Sequence, residues 1–322
     1  MSEKGEFEFI RNKLAPLSAD APGALGLTDD AALLTPQPGQ EIVLCSDMLV
    51  SGTHFLETDT MDVVAQRAFL SNLSDLAAMG ADPIGYLCSV CWPSNTTDEQ
   101  RDQFVSALES AQTQFGLTLM GGDTTSGEGP LIVSMTFVGE VQSGSALKRS
   151  GAKSGDDIWV TGSIGDAVLG LAIARGDLDQ QPYLLSRYQN PTPRIEAGIC
   201  LRKLASACID ISDGLVADAG HIASTSQVQL NVEAAMIPLS APALLWLEKE
   251  GEAGLRKLLT AGDDYELLFT AAHDKASEIL SLKSECGVDI SWIGSVAKGQ
   301  GVTVRDEEGE EMKIDSSGFT HF

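Results

Sequence analysis

Apolar residues recur at helical spacing in some stretches of this chain and alternate with polar residues in others, which divides it into predicted helices and strands. Residues 7–17 are apolar at every third or fourth position, which predicts a short amphipathic helix. Two short strands follow at residues 31–35 and 41–47, separated by a turn rich in proline and glycine. The first half continues with a helix at 61–80, a strand at 84–92, a helix begun by a capping box at 97–100, and strands at 117–121 and 131–141.

Two aspartates in this half lie on faces that are otherwise small or apolar. In the strand at 41–47, alternation places Asp47 on the same face as Val43 and Cys45, at the end of the strand. In the helix at 61–80, Asp75 lies on the stripe that includes Val64. Removing an ionised carboxylate from water without a partner is costly, so Asp75 must meet cations or several hydrogen-bond donors.

A polar stretch with glycine and serine, residues 148–157, marks a predicted domain boundary. We therefore divide the chain into residues 1–147 and residues 148–322. The second part is predicted to contain strands at 158–161, 265–271 and 288–296, a short strand into Asp210, and helices at 166–175, 193–205, 214–224 and 273–286. This alternation of strands and helices is typical of an α/β fold.

Composition fits a globular protein with two domains and excludes some classes of partner. The chain has 322 residues, 43% of them hydrophobic, so each half is long enough to bury a core. Its net charge of −25 argues against a nucleic-acid or anionic-membrane surface, because both would be repelled. The first ten residues lack the features of a signal peptide, and no uncharged stretch is long enough to span a bilayer.

The six cysteines predict a reduced, cytoplasmic protein. Cys88 and Cys91 form a C-x-x-C sequence, but it falls in a predicted strand, where an offset of three places the thiols on opposite faces. We therefore expect core thiols rather than a redox pair or half of a zinc site. With no other close pair, disulfides are not expected.

Aspartates framed by glycine, serine, alanine and aliphatic residues occur in six places. These are LTDDAALL, VLCSDMLVSG, NLSDLAAMGADP, LMGGDTTSG, CIDISDGL and TAGDDYELLF. Any one of these aspartates fits a helix cap or a turn residue. Six such sets together favour a shared role, and we predict that they converge on one site.

The chemistry predicted for that site is magnesium binding. Neither a P-loop sequence nor a strand-linked G-x-G-x-x-G occurs, so two common nucleotide-binding motifs are unsupported. Mg²⁺ prefers oxygen ligands and shares substrate phosphates with one or two carboxylates. Several such ions could neutralise a polyphosphate in the absence of a glycine-rich loop and its lysine.

Five motifs carry a resemblance to a known family. In chain order, NLSDLAAMGADP, GGDTT, LKRSGAKSGD, IDISDGL and GDDYELLF resemble the motifs of thiamine-monophosphate kinases, in the superfamily that includes aminoimidazole-ribonucleotide synthetase. The resemblance extends over essentially the whole chain. It implies ATP- and Mg²⁺-dependent phosphorylation of thiamine monophosphate to thiamine diphosphate. It also implies a homodimer whose N-terminal, ATP- and Mg²⁺-binding domains join their sheets into a barrel, each followed by a C-terminal α/β domain.

The resemblance also implies roles for individual residues. Metal-site positions are matched by Asp30, Cys45, Ser46, Asp47, Asp75, Asp123, Asp210 and Asp213, with Cys45 offering its backbone oxygen. Of these, Asp75 and Asp213 are the predicted catalytic residues. ATP-contacting positions are matched by Gly122, Asp123, Arg149 and Ser212, and substrate-contacting positions by His54, Asp263 and Phe319.

Three positions depart from the family pattern. Thr28 stands where the family has the glycine of Gly-Asp-Asp. A side chain at this position could limit how closely the backbone approaches a metal. Cys45 stands where serine or threonine is common, so only a main-chain ligand would survive there. Asp263 replaces the usual glutamate and is one methylene shorter. Its carboxylate therefore reaches less far toward the thiamine pyrimidine, which the family's glutamate is implied to contact.

The implied mechanism needs charge neutralisation more than a base. A phosphate oxygen of thiamine monophosphate is already anionic near neutral pH, so the reaction requires no strong general base. The low number of histidines, four in the whole chain, fits this mechanism. Arg149 would add fixed positive charge against the ATP phosphates, and its guanidinium suits bidentate contact better than the adjacent Lys148.

Two alternatives stay open. Another enzyme of the same superfamily, such as selenophosphate synthetase, would share the aspartates. That enzyme needs a reactive cysteine near the N-terminus, however, and no cysteine precedes Cys45 in this chain. A non-catalytic nucleotide or metal sensor on the same scaffold would bind ATP with Mg²⁺ and form no product. The replacement at Asp263 keeps that second alternative open.

Overall fold

A computed structural model describes residues 3–314 and residue 318. The chain divides into two compact units, each with its own sheet. The first unit comprises Met1–Leu76 and Ala81–Gly144, and the second comprises Ala77–Gly80 and Ser145–Phe322. The fold is therefore a mixed α/β fold with two domains, as the sequence predicts.

The first unit contains a four-stranded sheet with the order β1-β4-β2-β3. Its strands are β1 (Gln40–Val50), β2 (Asp82–Pro93), β3 (Leu119–Gly127) and β4 (Ile132–Gln142). β4 pairs antiparallel with both β1 and β2, whereas β2 and β3 are parallel. The crossover between the parallel strands is the helix α3 (Asp98–Phe115), while α2 (Met61–Ala78) connects β1 to β2. The sheet is open, with β1 and β3 at its edges.

Aromatic rings form much of the core of this unit. Phe69 of α2 lies edge-on to Tyr86 and Phe137, with ring centroids 5.1 and 4.9 Å away, and Tyr86 stacks on Phe137 at 5.4 Å. Such geometries are the favourable ones for aromatic pairs. The predicted capping box is confirmed, because Thr97 accepts from the Gln100 N–H and Gln100 accepts from the Thr97 N–H. The aromatic contacts pack α2 against the sheet, and the capping box fixes the start of α3.

The N-terminal segment is helical but is not one α-helix. It consists of α1 (Glu3–Phe9), a π turn (Ile10–Leu14) and two 3-10 turns (Ala15–Ser18 and Pro22–Leu27). The strand predicted at 31–35 is wrong. Leu33 donates its N–H to the carbonyl of Gly23 at 2.7 Å, so this backbone pairs with the preceding turn instead of with a strand.

The end predicted for the third strand of this unit is also wrong. β3 does not stop at Gly121 but continues through Gly122 and Asp123 to Gly127. Gly122 has a φ of 150°, and a Cβ there would lie 1.8 Å from the carbonyl oxygen of Cys88 on β2. The glycine that looked like a turn residue therefore permits close strand pairing.

The second unit contains a six-stranded sheet with the order β10-β7-β9-β5-β8-β6. β10 and β7 are parallel, and every other neighbouring pair is antiparallel. Its strands are β5 (Asp156–Thr161), β6 (Ala205–Asp210), β7 (Gln229–Glu233), β8 (Leu267–Ala272), β9 (Ile290–Ala297) and β10 (Gly301–Arg305). Its helices are α4 (Asp166–Arg175), α5 (Pro182–Gln189), α6 (Ile195–Leu201), α7 (Leu215–Ser226), α8 (Ala241–Thr260) and α9 (Ala276–Cys286). Ile158, Ile209 and Leu268 lie in its main apolar cluster.

Most predicted elements of this unit are confirmed, and α4 has the predicted bounds. The sequence missed α5, α8, β7 and β10. α8 is interrupted at Gly251, whose φ is 60°, and it exposes Leu244 and Leu245, so its solvent-facing side also carries large apolar residues. Among the described residues, no helix combines the length and apolar character needed to cross a membrane.

Candidate active site

The first unit contains a cavity of about 630 Å³ with acidic groups on its wall. Three carboxylates line it, those of Asp29, Asp30 and Asp123. Hydroxyl groups of Ser89, Ser134 and Thr136 also line the cavity, together with apolar side chains that include Phe9, Trp92 and Phe104. Carboxylate and hydroxyl oxygens are the donors that Mg²⁺ prefers, so the donor set fits this ion.

Asp123 is held in place by the pairing of β3 with β2. Its Oδ1 accepts the N–H of Thr124 at 2.8 Å, and the buried Thr124 hydroxyl accepts the indole N–H of Trp92 at 2.9 Å. Gly122, directly before it, lies opposite Cys88 in the ladder. The backbone of residues 122–124 is therefore fixed, and Asp123 is exposed at the cavity.

Asp29 and Asp30 follow the second 3-10 turn of the N-terminal segment. The Asp30 N–H donates to Asp29 Oδ1 at 3.2 Å, and the Thr28 hydroxyl donates to the carbonyl of Leu25 at 2.8 Å. Thr28 has a φ of −112°, which any residue adopts. The departure from the family's glycine at this position therefore causes no backbone strain.

The buried Asn72 of α2 joins the two sequence motifs that contain Asp47 and Asp75. Its Oδ1 accepts the N–H of Asp47 at 3.0 Å, and its carbonyl accepts the Cys45 thiol at 3.3 Å. Asn72 begins the motif NLSDLAAMGADP, yet sequence reasoning gave it no role. The contact with Cys45 also shows that the thiol is engaged with α2, which leaves only the backbone of Cys45 as a candidate ligand.

The other predicted residues of this unit lie outside the cavity lining. Ser46 hydrogen-bonds through its hydroxyl to the carbonyl of Met135 at 3.0 Å and to the hydroxyl of Thr136, a cavity residue, at 2.9 Å. Asp75 is half-buried between buried neighbours on α2, as its stripe predicts. His54 accepts the N–H of Val50 on Nδ1 at 3.0 Å, so a neutral ring carries its proton on Nε2.

In the second unit, the motif IDISDGL forms a turn between β6 and α7. Asp218, in the first turn of α7, accepts the N–H groups of Ser212, Asp213 and Gly214 on one oxygen, each at 3.1 Å. Burial, followed by the charge of the nearby Asp210, raises the pKa of Asp218 to about 7. Sequence reasoning missed Asp218, which lies four residues after Gly214; the one local signal for it is an acidic residue in the first turn of a helix.

Asp213, Asp218 and His221 lie close enough to share a cation. One ligand atom from each lies within 4.8 Å of the others, and within the described ranges this is the one such group of three or more. Asp213 is a predicted metal residue, whereas His221 is an exposed residue of α7 that sequence reasoning left out.

The loop containing Asp263 packs directly on this turn. Asp263 donates its N–H to the carbonyl of Ser212 at 2.9 Å, and Tyr265 donates its N–H to that of Ile211 at 2.8 Å. A Cβ on Gly262 would lie 1.9 Å from the Ser212 carbonyl oxygen, so glycine is required for this approach. The structure thus places Asp263, a predicted substrate residue, beside Ser212, a predicted ATP residue.

The two acidic residues that follow in this motif have structural partners. Asp264 accepts the N–H groups of Gly165 at 2.7 Å and Ala167 at 3.3 Å, at the start of α4. Its burial raises its pKa to about 8. Glu266 is fully buried and is bound by Arg187 at 2.9 Å and by Arg194 through two bonds of 2.6 Å. Asp264 therefore caps a helix and Glu266 joins a buried ion cluster.

The last predicted positions are Arg149 and Phe319. The Arg149 side chain is exposed, and its carbonyl accepts the Thr225 hydroxyl at 2.9 Å, which anchors the loop to α7. Phe319 lies outside the described residues. Its neighbour Gly318 is described and lies against Asp213, since a Cβ there would be 2.6 Å from the Asp213 carbonyl oxygen.

The structure brings some of the predicted residues together within each unit. The first gathers Asp30, Gly122 and Asp123 at one cavity. The second gathers Ser212, Asp213 and Asp263, with Asp210 at the end of β6. That all six aspartate sets serve one site stays a prediction.

Comparison with known proteins identifies the family. Residues 28–141 match the model of the AIR synthase related protein, N-terminal domain, and residues 153–307 match that of the C-terminal domain. The thiamine-monophosphate kinase of Caulobacter vibrioides is 39% identical over 319 residues, which cover 98% of this chain and 90% of that protein.

Two solved structures agree with this result. The crystal structure of thiamine-monophosphate kinase from Stenotrophomonas maltophilia K279a is 37% identical, with a TM-score of 0.84 over 97% of this chain and 98% of that one. AaThiL complexed with AMPPCP and TMP is 31% identical, with a TM-score of 0.79 over 91% of each chain. This chain therefore belongs to the thiamine-monophosphate kinase family of AIR synthase related proteins.

Proposed function

We propose that this chain transfers the γ-phosphoryl group of ATP to the phosphate of thiamine monophosphate, which yields thiamine diphosphate. The observation that carries the proposal is the cavity of about 630 Å³ with Asp29, Asp30 and Asp123 on its wall. Its volume lies in the range of small-molecule sites. Family membership narrows the reaction, because relatives along nearly the whole chain are named thiamine-monophosphate kinases.

The acceptor supplies its own nucleophile. A phosphate monoester has a second pKa near 6, so its oxygen is largely deprotonated at neutral pH and needs no strong base. The difficulty lies in bringing together two anions on a chain whose net charge is −25. The task of the protein is therefore to collect positive charge and to align the two phosphates.

Aspartates are the residues that we assign to this task. Asp30, Asp47, Asp75 and Asp123 of the first unit would hold Mg²⁺, together with Ser46 and the backbone oxygen of Cys45, while Asp210 and Asp213 would do so in the second. When bound, Mg²⁺ neutralises phosphate charge and polarises the phosphoryl group. Hydrogen bonds hold the Asp123 side chain and the Asp213 backbone in place. Carboxylates held in this way would also orient the bound phosphates. We assign direct catalytic roles to Asp75 and Asp213.

ATP contacts are assigned to Gly122, Asp123, Arg149 and Ser212. The exposed guanidinium of Arg149 can bind phosphate oxygens in a bidentate manner. Gly122 lacks a Cβ, so a phosphate or ribose group can approach the backbone of β3 closely.

Contacts with thiamine monophosphate are assigned to His54, Asp263 and Phe319. Asp263 would accept a hydrogen bond from the pyrimidine, as the glutamate does in the family pattern. Phe319 would stack on a ring of the substrate. The shorter side chain at position 263 has to be compensated by the loop that carries it.

We further propose that the chain acts as a homodimer in the reducing cytoplasm, with ATP and Mg²⁺ binding and dimerisation assigned to residues 1–147. Support for the dimer comes from β1, an edge strand that exposes Leu44 and Met48 on one face by 67% and 57%. Large exposed apolar side chains on an edge strand are typical of an interface. Support for a reducing compartment comes from the six cysteines, all of which are reduced thiols.

A direct assay tests the reaction. The purified protein, incubated with thiamine monophosphate, ATP and Mg²⁺, should form thiamine diphosphate and ADP in equal amounts, as measured by chromatography. Binding of ATP without any thiamine diphosphate would contradict the proposal and would support a nucleotide sensor instead.

A further inference from the structure

The loop from Gly262 to Glu266 adopts an unusual backbone conformation. Asp263 and Tyr265 both have positive φ angles, 71° and 51°, although neither is glycine. A positive φ angle is unfavourable for a residue with a Cβ and persists only where surrounding contacts enforce it. Strained positions of this kind are concentrated at functional sites.

Several hydrogen bonds hold this conformation. The N–H groups of Asp263 and Tyr265 donate to the carbonyls of Ser212 and Ile211 at 2.9 and 2.8 Å. On the other side, Arg187 donates to the carbonyl of Asp264 and to the carboxylate of Glu266, each at 2.9 Å. The loop is thus fixed between the IDISDGL turn and a buried ion cluster.

One consequence of this backbone is that two neighbouring side chains meet. Side chains two residues apart usually point in different directions or lie side by side on one face of a strand. Here the Tyr265 hydroxyl instead donates a hydrogen bond to Asp263 Oδ1 at 3.1 Å. Both side chains are half-buried, so this bond is partly shielded from water. A hydrogen bond from a neutral donor to a carboxylate is worth more than one between two neutral groups.

We propose that Tyr265 is a positioning residue that fixes the carboxylate of Asp263 for recognition of thiamine monophosphate. This inference rests on the proposed function, in which Asp263 contacts the substrate. An aspartate has one fewer rotatable bond than the family's glutamate and reaches less far. Its contact therefore depends on the backbone that presents it and on the hydroxyl that sets the plane of its carboxylate.

A double-mutant cycle tests this inference. Tyr265→Phe removes only the hydroxyl and should raise the KM for thiamine monophosphate by about tenfold or more, the order expected for the loss of one hydrogen bond to a carboxylate. The KM for ATP and the kcat should change by less than about twofold, because Tyr265 acts on substrate recognition. On an Asp263→Ala background, where no acceptor oxygen remains, the same change should leave the KM for thiamine monophosphate nearly unaltered.

Tyr183→Phe is the matched control. The Tyr183 hydroxyl also donates to an aspartate of the same unit, Asp166, at 3.0 Å, so the control removes an equivalent bond. It should leave both KM values unchanged. Thermal unfolding of each variant separates a loss of fold from a loss of recognition.

The outcomes are distinguishable from failure of the proposed function. If the wild-type protein forms no thiamine diphosphate, the proposed function fails. If it does, and Tyr265→Phe leaves the KM for thiamine monophosphate unchanged, or raises it equally in both backgrounds, the inference about Tyr265 is overturned. A loss of kcat with KM unchanged would also overturn it.

Discussion

Gly122 lies at the acidic cavity, and its local structure differs from the one that its sequence context predicts. Its sequence context, Gly-Gly-Asp, suggests the end of a strand, but the residue lies inside β3, where a Cβ would lie 1.8 Å from a carbonyl oxygen of β2. The close approach of two backbones is a long-range property, which a local sequence does not contain. The prediction that Gly122 contacts ATP came from the motif and not from its local structure.

Replacement of this glycine has a predictable cost. Gly122→Ala should destabilise the protein by about 1–3 kcal/mol, because the new methyl group overlaps the backbone of β2. It should also reduce turnover, because Asp123 moves with the strand. Gly121→Ala is the control, since its Cβ would meet only the flexible end of Leu87 at 3.2 Å. Urea unfolding of the two variants measures the difference, and equal stability would contradict this account.

At the scale of elements, sequence patterns predicted those features that depend on neighbouring residues. The capping box of α3 and the bounds of α4 both follow from local signals. The partners of Glu266 could not be predicted, because Arg187 and Arg194 lie 79 and 72 residues away in the chain. The same holds for Asn72, which joins β1 to α2 across 25 residues. Site motifs were recognisable, but the contacts that hold them were not.

The buried carboxyl group of Asp264, at the start of α4, predicts how the stability of the protein changes with pH. Asp264 caps the start of this helix, and burial raises the pKa of this carboxyl from 3.8 to about 8. Below pH about 4 the group is neutral in both the folded and the unfolded chain. Between pH about 4 and 8 the unfolded chain releases the proton while the folded chain retains it, so stability is lost as the pH rises.

Asp264→Asn removes this titration. The variant should therefore gain stability relative to wild type as the pH rises from 5 to 8.5, in urea unfolding at both values. Asp179→Asn, which changes an exposed aspartate, should show a difference that does not vary with pH. A pH-independent difference for Asp264→Asn would show that its carboxylate is ionised in the folded protein throughout.

At the scale of the whole molecule, the open sheet of the first unit predicts association. Leu44 and Met48 are four residues apart on β1 and share its exposed face. Replacement of both by glutamate should convert the proposed dimer to a monomer at micromolar concentration, because charges would be buried in the interface. Sedimentation velocity measures this, with Leu245→Glu, on the exposed face of α8, as the control. A dimer that persists in the double variant would place the interface elsewhere.

The central claim is that aspartates framed by small apolar residues hold Mg²⁺ for phosphoryl transfer, and Asp75 tests it most directly. Asp75→Asn preserves the size of the side chain and one acceptor oxygen but removes the charge. It should keep the melting temperature of wild type within a few degrees and lower the Mg²⁺-dependent kcat for thiamine diphosphate formation by about 100-fold or more. Asp62→Asn, at an exposed position in the first turn of the same helix, should retain full activity. Near-normal Mg²⁺-dependent turnover in Asp75→Asn would contradict the claim.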